Sequence, residues 1–93
     1  MHLVWTLAAA ADLERISDYL FEQSIEIGPD VIQRIYQSIS ELKKFPNRGR
    51  PGRKQGTREL VLVSLPYLAV YEVAGDSIRV LRVLHGARRW PEK

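Results

Sequence analysis

Residues 58–85 read RELVLVSLPYLAVYEVAGDSIRVLRVLH. Branched and aromatic residues dominate this stretch, as they do in strands. Ser64-Leu65-Pro66 interrupts it once, and Ala74-Gly75-Asp76-Ser77 interrupts it again as a hairpin turn in which glycine tolerates positive φ. The pattern predicts three strands, over 58–63, 67–73 and 78–85. Their apolar residues alternate with one another. Leu60 and Leu62 alternate with Val61 and Val63; Leu68 and Val70 with Ala69, Tyr71 and Val73; Val80 and Leu84 with Leu81 and Val83.

Working back toward the N-terminus, residues 2–6 form a further short strand that carries Trp5 as a core residue. Thr6 is placed to cap a helix over 7–25, its hydroxyl accepting a free N–H of the first turn. Leu13, Ile16 and Leu20 recur at helical spacing there, and Gly28 ends the helix. A second helix starts at Pro29, where a missing N–H costs nothing, with Asp30 at its positive end. Its stripe is Val31 or Ile32, Ile35, Ile39 and Leu42, with Tyr19 and Tyr36 flanking the core from the two helices. Lys43 and Lys44 suit the negative end, and Pro46 stops it. The whole is one α+β domain over 1–93, in the order β-α-α-β-β-β: a small, mainly antiparallel sheet packed on one face by an αα-hairpin.

Two helices shield only one face of such a sheet, and an antiparallel sheet with a wet face normally alternates apolar with polar residues. The surplus predicts a docking partner on the second face. The alternative is coverage by loop 46–56 and the C-terminal tail.

The 93 residues contain no cysteine, so disulfides and thiolate metal sites are excluded. No run approaches the roughly 20 apolar residues that span a bilayer. No secretory segment is visible, so the expected address is the cytoplasm, away from membranes. No motif calls for a cofactor or a metal. The net charge of +3 conceals two unlike halves. Residues 1–42 carry seven acidic and two basic side chains, and residues 43–93 carry twelve basic and four acidic ones. The basic half gathers in two places. One is the glycine- and proline-rich loop with Arg48, Arg50, Arg53 and Lys54. The other is the terminal run Arg82-Val83-Leu84-His85-Gly86-Ala87-Arg88-Arg89-Trp90-Pro91. A polyanion or an acidic protein is the natural counterpart of such clusters.

In order along the chain stand Trp5, Asp12-Leu13-Glu14-Arg15-Ile16, Phe45-Pro46, Gly49-Arg50-Pro51-Gly52, Arg58-Glu59-Leu60-Val61, Pro66-Tyr67, Val70-Tyr71 and the terminal run just quoted. In this order and at this length the chain resembles the RelE/ParE family of toxins from type II toxin–antitoxin systems. The resemblance covers nearly the whole chain. It implies a sheet backed by an αα-hairpin and a cognate acidic antitoxin that wraps and neutralises the toxin. It also implies contact with operator DNA only through that antitoxin. RelE-like members cleave mRNA on the ribosome; ParE-like members poison DNA gyrase.

Metal-free ribonuclease chemistry needs a base, an acid and cations around the phosphate. His85 can serve as acid or base. Arg82, Arg88 and Arg58 can hold phosphate, and Glu59 can act as a base if buried beside them. The plainer reading of His85 is a strand-end histidine bonded to a backbone carbonyl. Against the nuclease, Glu59 and Val61 stand where RelE carries basic residues, and Leu68 stands where it carries an arginine. A C-terminal tyrosine is missing, and only Arg88 matches a catalytic arginine. The expected function is therefore that of a ParE-like plasmid-stabilisation toxin acting on gyrase by binding. The alternatives are a ribosome-dependent mRNA endonuclease using His85, Arg82 and Arg88, and an inactive toxin that retains only antitoxin binding and operon co-repression. Arg48, Arg50, Arg53, Lys54, Arg58, Arg82, His85, Arg88, Arg89 and Trp90 are the expected contacts with target or antitoxin; the first four lie on a glycine-rich loop expected to be poorly preorganised for catalysis. Trp90 also reads as a packing anchor. Tyr67 and Tyr71 share a strand face and pack there; base stacking suits them only in the nuclease.

Overall fold

The computed structural model describes residues 1–62 and 64–86. The elements are β1 (His2–Trp5), α1 (Leu7–Gln23), α2 (Gly28–Ser40), a 3-10 turn (Glu41–Lys43), β2 (Arg50–Pro51), β3 (Arg58–Val61), β4 (Tyr67–Ala74) and β5 (Ser77–His85). They form one mixed sheet in the order β1-β5-β4-β3-β2. β1 runs parallel to β5, pairing His2 with Ser77 and Trp5 with Val80; the other pairs are antiparallel. The α+β class and the helix pair on one face are as expected. The sheet has five strands rather than four, because Arg50 and Pro51 of the basic loop pair with Glu59 and Arg58.

Local chemistry sets the boundaries. The Thr6 hydroxyl accepts the Ala9 N–H at 3.2 Å and donates to the Val80 carbonyl at 2.8 Å, so one side chain both caps α1 and ties it to β5. α1 ends at Gln23, two residues before the expected limit, and the Ser24 hydroxyl accepts the Ile27 N–H. Gly28 does not end α1. It opens α2 and lies so close to Leu20 that a Cβ would stand 3.3 Å from the Leu20 backbone. Gly75, at φ +58°, makes the hairpin between β4 and β5.

The main core lies between helices and sheet. It joins Ala9, Ile35, Ile39 and Leu42 to Leu60, Leu62, Tyr67, Ala69, Tyr71, Ile78, Val80 and Val83. On the opposite face Leu68, Val70 and Leu84 are also buried, with Leu81 packed against them. The expected bare face is therefore corrected: these side chains are buried within the chain itself. On that face of β3, Val61 stays 53% exposed.

Candidate functional site

β1 stops at Trp5, so beyond Val80 no strand among the described residues lies beside that edge of β5. α1 crosses there instead and supplies Asp12, which is 2% exposed. Asp12 Oδ2 accepts the Val83 N–H at 3.0 Å and the Arg82 Nε at 2.7 Å, and Oδ1 accepts an Arg82 terminal nitrogen at 2.9 Å. Arg15 also donates to Oδ1. One carboxylate thus replaces a strand partner and takes the planar fork of a guanidinium. Arg82 is thereby a fold-forming residue, with its paired donors turned toward Asp12 rather than outward.

Above this pair opens a groove of about 500 Å³. Ile16, Leu20 and Val31 form one wall, Leu65, Pro66 and Tyr67 another, and Asp12, Arg15 and His85 edge it. His85 is exposed at the end of β5, with its ring edge-on to Tyr67, 5.8 Å between centroids. Burial, aided by nearby Tyr19, pushes the Tyr67 phenol above its usual pKa, so the ring is neutral at physiological pH.

The basic loop is held firmly, which corrects the expectation of poor preorganisation. The Tyr71 hydroxyl, at the centre of the core, donates to the Pro46 carbonyl at 2.7 Å and accepts the Gly49 N–H at 2.9 Å. Arg58 donates to the Gly49 carbonyl at 2.7 Å. The Glu59 carboxylate accepts the Arg53 N–H at 2.9 Å, Arg53 Nε at 3.1 Å and Arg50 at 3.4 Å. Burial alone would raise the pKa of Glu59, but the Arg53 backbone and side-chain bonds, with Arg50, outweigh it and hold it below the ordinary carboxylate value. Arg48 pairs with Glu41 at 3.0 Å and lies 4.7 Å over the Phe45 ring. Lys54 is exposed, and its carbonyl accepts from Thr57.

The nuclease set expected from the sequence is not brought together among the described residues. Arg58 sits opposite Tyr71 and His85 opposite Tyr67, so β4 and its neighbours separate them. That is about 13 Å along the strand and about 10 Å across it. Glu59 is a satisfied ion partner rather than a base poised beside His85, and Tyr71 is fully buried, which removes it as a stacking surface. Arg88, Arg89 and Trp90 lie outside the described residues. Asp12 and Tyr71 are the organising residues that the sequence reading missed. Asp12 had a signal: it falls on the Ala9–Leu13–Ile16 stripe, where an acid needs a partner.

The chain matches the family model described as the ParE toxin of the type II toxin–antitoxin system parDE, over residues 3–90. It is 36% identical over 88 residues to Y4kP of Sinorhizobium fredii, covering 95% of this chain and 91% of the relative. It is 36% identical over 86 residues to Toxin RelE2 of Caulobacter vibrioides, covering 92% and 96%. A solved structure titled as the chromosomal ParDE TA system from P. aeruginosa matches with a TM-score of 0.86 and 34% identity, covering 91% of this chain and 95% of that one.

Proposed function

The chain belongs to the ParE toxin family of type II toxin–antitoxin systems, and from that premise we propose that it is neutralised by a cognate acidic antitoxin and inhibits DNA gyrase by binding. The observation that carries the choice of binding over catalysis is the fate of the candidate catalytic groups. Arg82 gives its fork to Asp12, Glu59 is held by Arg50 and Arg53, and Arg58 is held by the loop carbonyls. Among the described residues these groups are engaged within the chain, and a ribonuclease that loses phosphate-holding cations loses several powers of ten in rate.

In this reading the apolar groove edged by Arg15 and His85 seats an antitoxin side chain, because anchors buried in pockets carry most of an interface's energy. Among the described residues no helix is long and apolar enough to cross a membrane. Operator DNA is reached only through the antitoxin.

Purified protein incubated with gyrase and relaxed or supercoiled plasmid tests the proposal. Blocked supercoiling, or a trapped cleavage complex, is the expected result. Unaltered gyrase activity together with arrested growth would turn the assignment toward the RelE-like endonuclease. Unaltered activity with normal growth would leave the co-repressor role alone.

A further inference from the structure

A second groove, of about 380 Å³, runs between the two helices. Ala10, Leu13, Glu14 and Ser17 of α1 form one wall, Ile32 and Tyr36 of α2 the other, and Trp5 of β1 completes it. The Tyr36 ring lies parallel to Trp5, 6.1 Å between centroids, and is 49% exposed. The Trp5 indole N–H is buried without an acceptor among the described residues, although buried donors are nearly always paired. One turn beyond Ser17, Phe21 continues the Ala10–Glu14–Ser17 face and is itself 43% exposed. From Ala10 to Phe21 the strip is about 16 Å long at the helical rise.

A row of acids borders this strip. Glu14, Asp18 and Glu22 are exposed and follow one another at four-residue spacing. None of the three forms an ion pair or side-chain hydrogen bond among the described residues. Like charges at that spacing repel and weaken a helix. Glu22 also stands in the last turn of α1, where the dipole favours cations and no basic residue is present. Arg15, their cationic neighbour on α1, is taken by Asp12, which lies on another face. The helix therefore carries uncompensated repulsion next to exposed aromatic surface. Local rules broken together in this way mark surfaces kept for a partner.

We propose that the α1–α2 groove docks a basic amphipathic helix of another protein. The occupant lays an apolar stripe of about three turns along Trp5, Leu13, Ile32, Tyr36 and Phe21, and sets lysines or arginines against Glu14, Asp18 and Glu22. Both long walls are helices, whose main-chain groups are bonded internally, so they offer no edge to an added strand. An occupant must satisfy its own main chain, which a helix does. The acidic row repels nucleic acid, anionic lipid and an acidic antitoxin alike, and this leaves the groove to a partner of opposite charge. Proteins that handle DNA expose such cationic surface. The inference goes beyond the gyrase reading and stands without it.

Fluorescence polarisation with labelled peptides tests it on the whole chain. The probes are an amphipathic Lys–Leu helix of three turns, a scrambled peptide of the same composition that lacks the apolar stripe, and a Glu–Leu helix. The Lys–Leu helix is expected to bind at least about tenfold more tightly than either control. The double variant Glu14→Lys with Asp18→Lys, and Tyr36→Ala, should each weaken that binding by about tenfold. Glu72→Lys with Asp76→Lys changes the net charge equally at a distance from the groove, and should leave the binding unaltered. Circular dichroism confirms that the variants are folded. Equal binding of the scrambled or Glu–Leu peptide would overturn the proposal, as would an unaffected Glu14/Asp18 variant or an equal loss in the Glu72/Asp76 variant. Self-association in sedimentation that disappears with the Glu14/Asp18 variant would assign the groove to a second copy of the chain instead. None of these assays contains gyrase, so the two readings fail separately.

Discussion

Asp12 on α1 and Val83 on β5, 71 residues apart, are joined by a main-chain hydrogen bond to a buried carboxylate, and the same carboxylate grips Arg82. The acid closes a strand edge that β1 is too short to cover. Asp12→Ala would remove the carboxylate that a guanidinium and a strand N–H share. The expected loss is about 3–5 kcal/mol of unfolding free energy. Asp12→Asn, which keeps one acceptor oxygen, should lose less. Urea denaturation of the purified variants checks both.

Gly49 and Tyr71 form the second latch. A Cβ on Gly49 would stand 2.7 Å from the Tyr71 hydroxyl and 2.8 Å from a ring carbon. Gly49→Ala therefore forces the tyrosine or the loop to move, and is expected to destabilise the protein more than Tyr71→Phe does. Removing the hydroxyl alone strips the Gly49 N–H and Pro46 carbonyl of their partner, at about 1–3 kcal/mol. The two changes share one contact, so the double variant should fall short of the sum. Thermal melts of the two single variants and the double variant decide this.

Glu59 makes the acid limb of stability predictable in sign. Its pKa in the folded chain lies below the ordinary 4.5, despite a burial effect that acts the other way. A depressed carboxylate contributes stability that is fully present above the unfolded value. That contribution is lost as pH falls through the folded one. Stability should therefore decline on acidification below about pH 4.5, and Glu59→Gln should flatten that decline while lowering stability at neutral pH. Denaturation midpoints across a pH series are the measurement. Equal slopes in wild type and variant would remove Glu59 from the account.

His85 separates the functional readings in cells. If the toxin acts by binding gyrase, transcript ends mapped after expression show no codon-placed cuts. If it is a ribosome-dependent nuclease, such cuts appear in the wild type and vanish in His85→Ala.

Association with an acidic partner should weaken as salt rises, since the accessible cations Arg48, Arg50 and Lys54 lie on the surface. Charges there are screened over about 8–10 Å at ordinary ionic strength. A titration at rising salt should show slower association with a smaller change in dissociation, because apolar anchoring governs the off-rate. Salt-independent association would contradict this.

Whatever depends on neighbours in the chain was legible in it. Thr6 caps α1, Pro29 and Asp30 open α2, and Gly75-Asp76 turns the last hairpin as their local chemistry dictates. The family pattern, spread over the whole length, was legible too. What escaped depends on distant partners. No local signal places β1 beside β5, or recruits Arg50 and Pro51 into a strand. The alternating apolar strands revealed two greasy faces but not that Leu68, Val70 and Leu84 would be buried. Arg82 and Arg53, read as waiting for a visitor, are engaged by Asp12 and Glu59 within the fold. A sequence shows the charges but not which opposite charges folding will bring within reach.

The parallel pairing of His2–Trp5 with Ser77–Val80 means that the earliest-made strand waits for the latest-made one. During synthesis the N-terminal segment and both helices emerge with no sheet centre to pack on, and β1 finds its neighbour only after residues 77–80 have appeared. Closure over so many residues is slow relative to local contacts. A ribosome-bound fragment lacking β5 also lacks the surface that Asp12 seals. Such a nascent chain also lacks the finished apolar groove, because Val83, Leu84 and His85 of β5 line it.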